Sequence, residues 1–285
     1  MANAFFSDLL STISERGRVL LGRASPANDK QDASELLELC EALLSGRGEA
    51  SGTAMAREVL DRYHHLDAAG RLSFFQTLAR DFGPDHARLA QAIDAWRAKA
   101  NGEDASDLHF ASEPRRQELI RRLNRAPGGT GELVSIRSDL LSLMKGNKDL
   151  AALDRDVVHL LSSWFNRGFL VLRRIDWSSP ANILEKIIRY EAVHEIRDWD
   201  DLRRRIDPVD RRCYAFFHPA LADEPLIFVE VALTEAIPGA IAPLLAEERE
   251  PVPAEKARTA VFYSISNTQR GLGGISFGRD RKSVV

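Results

Sequence analysis

The chain is 285 residues long, 44% hydrophobic and 28% charged, with 39 Lys and Arg against 42 Asp and Glu for a net charge of −3. That length allows two domains, and the composition is ordinary for a globular protein. The slight acid excess argues against nucleic acid or an anionic membrane as an obligatory partner, and no run approaches the 18 apolar residues of a membrane span.

The opening stretch, "MANAFFSDLLSTISERGRVLLG", lacks a basic head followed by an apolar core and a cleavage site, so it reads as an amphipathic helix rather than a signal peptide. Helical periodicity then continues to about residue 160. In "ASELLELCEALLS" it places Leu36, Leu37, Cys40, Leu43 and Leu44 on one face, and in "LSFFQTLARDF" it places Phe74, Phe75, Leu78 and Phe82 together. The breaks are "GRGEASG" (Gly46 to Gly52), Pro84 at a helix start, and "APGGTGE" (Ala126 to Glu132). Roughly eight helices on short links predict an antiparallel bundle or two small ones. His64 and His65 fall at a helix end, where cationic side chains suit the dipole.

After about residue 163 the texture changes. "GFLVLRRIDW", "RRCYAFFH", "LIFVEVAL" and "TAVFYSIS" read as strands, and "PANILEKIIRYEAVH" as a helix with Ile183, Leu184, Ile187 and Ile188 on one face. The second half is therefore α+β, with a sheet at least partly antiparallel. "DWDDLRRRIDPVDRR" reads as a solvated helix and turn whose arginines could meet phosphates, and "EEREPVPAEKA" as a mobile surface connection. His194 follows a helix and reads as structural. His218, Asp223 and Glu224 fall between two strands; His218 could serve as a general acid, but a hairpin in which it caps backbone groups and the acids are solvated is the simpler reading.

The final strand runs into "NTQRGLGG" (Asn267 to Gly274), whose glycines permit close backbone approach. A helix from about Ile275 would aim free N–H groups at that loop, an arrangement that binds pyrophosphate. "RGLGG" also approximates the R-G-x-G-x-(G/A) loop with which acetyltransferase-like folds hold coenzyme A, with Ile275 where Gly or Ala is usual. An ordinary turn is the plainer reading of this stretch alone. The two cysteines, Cys40 and Cys213, suit a reducing cytosol and offer neither a disulfide framework nor a zinc site. No GxSxG, HExxH or Walker motif occurs.

Four blocks together resemble malonyl-CoA decarboxylase, from roughly residue 50 to Gly278. They are "RQELIRRLNRAPGGTGELVSIRSDLL", "LLSSWFNRGFLVLRRIDWSSPANILEKIIRYEAVHEI", "DLRRRIDPVDRRCYAFFHPALADEPLIFVEVALTEAI" and "VFYSISNTQRGLGGISFG". The resemblance implies a helical N-terminal oligomerisation domain over 1–162, then a catalytic domain of acetyltransferase-like (GNAT-like) fold over 163–285. It implies conversion of malonyl-CoA to acetyl-CoA and carbon dioxide in malonate and fatty-acid metabolism. It further implies a cytoplasmic homo-oligomer that binds a CoA thioester and neither nucleic acid nor membrane, without a metal or redox cofactor. Gly273, Gly274, Ile275, Ser276, Phe277 and Gly278 match the family's malonyl-CoA segment. Ser264, Ser266, Gln269, Arg270 and Gly271 match neighbouring positions in supporting roles.

Decarboxylation leaves an enolate, which needs donors at the thioester oxygen and a proton for carbon. The family draws these from a serine in an "SPIPGF"-like stretch and a histidine in a "NFHLxNGA"-like stretch, and neither stretch occurs here. The expected catalytic set within this chain is therefore none. After Gly278 the family continues with an apolar helix, whereas this chain reads "RDRKSVV". The expectation is an incomplete catalytic domain, inactive alone, in which "TAVFYSIS" exposes an edge. The alternatives are a helical oligomerisation or CoA-binding module without catalysis and, last, an acyltransferase using acetyl-CoA.

Overall fold

The computed structural model describes residues 29–46, 49–98 and 105–276. The amphipathic helix expected at the start, the end of the glycine segment (Phe277 and Gly278) and the basic ending lie outside the described residues. The chain divides into two compact units, Met1–Ser163 and Trp164–Val285.

The first unit holds eight α-helices among the described residues: α1 Asp29–Ser45, α2 Glu49–His65, α3 Ala68–Asp81, α4 His86–Ala98, α5 Ser106–Ser112, α6 Arg115–Leu123, α7 Gly129–Leu143 and α8 Ala151–Trp164. In α1 the buried face is Leu36, Leu39, Cys40 and Leu43, so Leu39 takes the core place expected for Leu37. Phe74, Phe75, Leu78 and Phe82 are buried as the periodicity requires. Tyr63 packs on Phe74 and Phe75 with ring centroids 5.6 and 5.8 Å away. Its hydroxyl donates to Asp139 at 3.0 Å, and Arg71 pairs with the same carboxylate at 2.9 Å. The break after α1 is shorter than composition suggests, because Gly52 lies inside α2.

The "APGGTGE" break has two distinct glycine requirements. Gly128 adopts φ +73°, which favours glycine, and Gly129 packs so closely that an added Cβ would lie 2.5 Å from the Leu123 carbonyl oxygen. Two ion pairs are folded into this unit: Arg137 meets Asp154 at 2.9 Å, and Arg116 meets Asp156 at 2.5 Å. His64 contacts Glu132 at 2.5 Å, and His65 bonds the Asp61 carbonyl, placing both at the α2 terminus as expected.

Among its described residues the second unit forms a four-stranded antiparallel sheet in the order β1-β2-β3-β4. The strands are β1 Val171–Ile175, β2 Arg211–His218, β3 Leu221–Thr234 and β4 Thr259–Asn267. Helices α9 Ala181–Tyr190 and α10 Trp199–Ile206 lie between β1 and β2 in sequence, and a single turn, α11 Ala242–Leu245, lies between β3 and β4. In α9 the apolar stripe Ile183, Leu184 and Ile187 is buried, and α10 starts on Asp198, whose carboxylate accepts the Asp201 N–H at 2.7 Å.

Both helices cover one sheet face. Ile183, Leu184, Ile187, Leu202 and Ile206 pack there with Cys213, Ala215, Phe217 and Phe228 of the strands. Each fully buried Ile or Leu contributes about 2 kcal/mol. Alternation sends Leu172, Phe216 and Ile227 to the opposite face, with Ile265 beside them at 58% exposure. β4 is the edge of the described sheet and carries Phe262 65% exposed.

Asp223 and Glu224 lie within β3 rather than in the hairpin loop, because that turn is confined to Pro219 and Ala220. Glu224 pairs with Lys186 at 2.5 Å, so it is not freely solvated. "DWDDLRRRIDPVDRR" likewise departs from the solvated reading: Asp201, Arg205, Asp210 and Arg211 are all buried. Arg205 donates to the His194 and Glu195 carbonyls at 2.7 and 2.8 Å and meets Glu230 at 3.3 Å. Asp210 receives both Nη groups of Arg249 at 2.6 and 3.0 Å and the Val252 N–H at 3.1 Å. The loop expected to be mobile is thus tied at Arg249.

Candidate functional site: a cleft beside the glycine loop

The face of the sheet opposite α9 and α10 bears a cleft of about 950 Å³. One wall is the single 3₁₀ turn Arg167–Phe169 that leads into β1; the other is the loop leaving β4. Phe216, Leu226 and Ile227 form an apolar floor between them. The lining includes the guanidinium-bearing Arg167 and Arg270, and among the described residues it includes no Asp, Glu or His.

β4 hands over to the loop through Thr268, whose N–H donates to the Leu226 carbonyl at 3.0 Å and whose hydroxyl bonds the Pro225 carbonyl. Gln269 reaches Glu224 at 3.3 Å. A 3₁₀ turn, Arg270–Leu272, follows, and Gly274 adopts φ +77°, which glycine permits without strain. The N–H groups of Leu272, Gly273 and Ile275 donate to the carbonyls of Gln269, Arg270 and Leu272, each at 3.0 Å. These donors are therefore used inside the loop, and Ile275 and Ser276 are not helical. The residues through which the helix expected from about Ile275 would run lie, after Ser276, outside the described residues.

Gln269, Arg270, Gly273, Gly274 and Ile275 come together on the cleft, joined by Asn267 and Thr268. Gly271 is buried in the turn and Ser276 is exposed beyond it. Ser264 and Ser266 do not reach the cleft. The register pairs Ile227 with Asn267, Phe228 with Ser266 and Glu230 with Ser264. Phe228 belongs to the helix-covered core, so both serines point to that side while Asn267 points to the cleft.

On the covered side the serines meet Glu191, the residue that ends α9. Ser264 Oγ lies 2.8 Å from both carboxylate oxygens, and Ser266 Oγ lies 3.2 Å from Oε2. The Val193 and His194 N–H groups donate to Oε1, each at 2.8 Å. One carboxylate thus fixes the chain after α9 to the strand that delivers the loop. Sequence reasoning missed Glu191, whose serine partners lie more than 70 residues away; the alternating "SIS" was the available signal.

Glu230, on the same face, has no exposed surface; burial drives its carboxyl up to about 7, with Arg205 acting in the other direction. His218 is buried, its Nδ1 accepting the Ala220 N–H at 3.1 Å and its ring tilted at 43° to that of Phe165, centroids 4.7 Å apart. Burial lowers its pKa, partly countered by the Trp164 carbonyl. Its bond to Ala220 caps the hairpin as the simpler sequence reading expects, although Glu224, which that reading leaves solvated, is paired with Lys186.

The malonyl-CoA decarboxylase C-terminal domain model matches residues 168–283, and the N-terminal domain model of the same family matches residues 82–165. The mitochondrial malonyl-CoA decarboxylase of Anser anser anser is 40% identical over 242 residues, 78% of this chain and 47% of its own length. That of Rattus norvegicus is 36% identical over 227 residues, 74% of this chain and 46% of its own. The chain spans about half the length of the curated relatives it matches. The crystal structure of malonyl-CoA decarboxylase from Rhodopseudomonas palustris superposes with a TM-score of 0.84 at 63% identity, over 86% of this chain and 60% of that one. The Agrobacterium vitis structure gives a TM-score of 0.81 at 58% identity, over 85% and 59%.

Proposed function

The chain belongs to the malonyl-CoA decarboxylase family, and from that premise we propose that its cleft binds malonyl-CoA for decarboxylation to acetyl-CoA and carbon dioxide. The observation that carries this is the lining itself: two guanidinium groups, no acid among the described residues, an apolar floor and a glycine turn beside it. A CoA thioester has matching chemistry, with phosphates at one end and a slender, largely apolar arm at the other. Gly273, Gly274 and Ile275 form the loop wall in this reading, followed by Ser276, while Phe277 and Gly278 lie outside the described residues; Gln269, Arg270 and Gly271 shape the turn. Ser264 and Ser266 support the site indirectly, by locking β4 to Glu191.

Decarboxylation also requires a proton donor for the enolate. Among the described residues the lining supplies none, since the Thr268 hydroxyl is already committed to backbone carbonyls. The reading is therefore binding by this chain, with the catalytic serine and histidine coming from family segments that nothing in its sequence matches. The finer expectations accompany it. The antiparallel sheet with helices on one face supports an acetyltransferase-like unit, and the helical unit is read as the oligomerisation domain, for which light scattering should give the mass of a homo-oligomer and a monomer would overturn the reading. The free, buried Cys40 and Cys213 support a cytoplasmic location, and among the described residues no helix is long and apolar enough to cross a membrane.

Calorimetric titration of the 285-residue protein tests the reading. One malonyl-CoA should bind per chain, without enzyme-like release of carbon dioxide. Gly274→Val should weaken binding tenfold or more with the far-ultraviolet dichroism unchanged. Absence of binding would overturn the assignment of the cleft, and rapid turnover would overturn the assignment of the catalytic groups.

A further inference from the structure

We propose that Arg167, on the wall facing the glycine loop, is a phosphate-binding residue that brackets the diphosphate of a CoA thioester together with Arg270. The inference rests on the reading of the cleft as a CoA site and adds a residue that the glycine segment does not include. Its starting point is the loop's own hydrogen bonding. A glycine turn ordinarily attracts phosphate through free backbone N–H groups. Here the N–H groups of Leu272, Gly273 and Ile275 close onto carbonyls within the loop. With these three donors engaged, the formal positive charges on the cleft are the guanidinium groups of Arg167 and Arg270.

Arg167 and Arg270 are both exposed, both line the cleft, and neither forms an ion pair with a described residue. Most other arginines of this unit are engaged: Arg205 with Glu230 and Asp201, Arg249 with Asp210, Arg197 with Glu247, Arg203 with Asp207. The backbone under Arg167 is also built. Asn166 Oδ1 accepts the Gly168 N–H at 2.9 Å, and the carbonyls of Asn166 and Arg167 accept the N–H groups of Phe169 and Leu170 at 2.9 and 3.1 Å. The guanidinium is thereby presented from a fixed turn, and its planar fork suits phosphate oxygens.

The diphosphate fits this pair better than the ribose phosphate does. Leu272 and Ile275 line the same cleft as Arg270, and Phe216 lies on its floor. A group held at the arginines must therefore continue at once into an apolar arm. In CoA the diphosphate is bonded to the pantetheine arm, whereas the 3′-phosphate is not.

Binding constants of wild type, Arg167→Gln and the control Arg189→Gln for CoA, 3′-dephospho-CoA and pantetheine test the assignment. Arg189 is an exposed α9 residue paired with Glu185, so its substitution matches the charge change away from the cleft. Arg167→Gln should weaken CoA and dephospho-CoA equally, by tenfold or more, and leave pantetheine unchanged; Arg189→Gln should match wild type. Equal CoA affinity in Arg167→Gln and wild type would overturn the role of Arg167 while leaving the cleft assignment standing. A loss confined to CoA would move Arg167 to the 3′-phosphate and overturn the diphosphate assignment. No CoA binding by wild type would remove both the inference and the reading beneath it.

Discussion

Replacing Glu191 with alanine should cost the sheet unit more stability than any single apolar truncation on its surface. The carboxylate accepts from two hydroxyls, Ser264 and Ser266, and two backbone N–H groups, Val193 and His194. Alanine would leave four donors seeking partners. Each buried orphan costs about 1–3 kcal/mol, and the half-buried N–H groups recover part of theirs from water, giving a gross loss of about 5 kcal/mol. Removing a buried charge returns roughly 2 kcal/mol of desolvation, so the net expectation is about 3 kcal/mol. Glu191→Gln keeps one carbonyl oxygen for the N–H groups and an amide that the hydroxyls can accept from, so about 1 kcal/mol is expected. Urea unfolding followed by tryptophan emission reads this, because Trp164, Trp177 and Trp199 belong to the same unit. Combining Glu191→Ala with Ser264→Ala and Ser266→Ala should be less damaging than the sum of the parts, since the orphaned hydroxyls disappear. An alanine variant within 1 kcal/mol of wild type, or a glutamine variant equally damaged, would refute the reasoning.

Two further outcomes follow from the same structure. Glu230 has a carboxyl raised from 4.5 to about 7 by burial, so the folded state binds its proton more tightly than the unfolded state. Its stabilising contribution is complete below about pH 4.5 and disappears as the pH rises through 7, an effect of about 3 kcal/mol; Glu230→Gln should lack that decline, and parallel pH profiles for the two proteins would contradict the assignment. Gly129→Ala should destabilise the helical unit by about 2 kcal/mol or more, because the new methyl group meets the Leu123 carbonyl oxygen at 2.5 Å. An unchanged melting temperature would show that the α6–α7 link relaxes freely.

Much of the architecture was legible because period and punctuation are local properties. The Phe74, Phe75, Leu78 spacing identifies a buried helix face, and "RRCYAFFH" and "TAVFYSIS" identify strands, without reference to the rest of the chain. The turn from Gln269 to Ile275 was legible for the same reason, its glycines marking a tight reversal after the last strand. What stayed hidden depends on partners far away in sequence. Asp201, Arg205, Asp210 and Arg211 look solvated when counted as a charge run, yet each is covered once β2, β3 and the Arg249 loop assemble around them. Ser264 and Ser266 sit beside the loop in sequence, but a strand turns alternate side chains away, and nothing local says which side the helices cover. Arg167 reads as the prelude to a strand until the opposite wall of the cleft is in place.

The odd-or-even count along β4 carries a consequence for how the unit tolerates change. Asn267 meets the cleft and Ser266 meets Glu191 because they are adjacent, and adjacent strand residues face opposite ways. One inserted residue upstream would carry Ser266 into the place facing the cleft and Ile265 into the place facing the Glu191 carboxylate. Substitutions in this strand can be absorbed one at a time, whereas a change in its length by a single residue rewrites both surfaces at once.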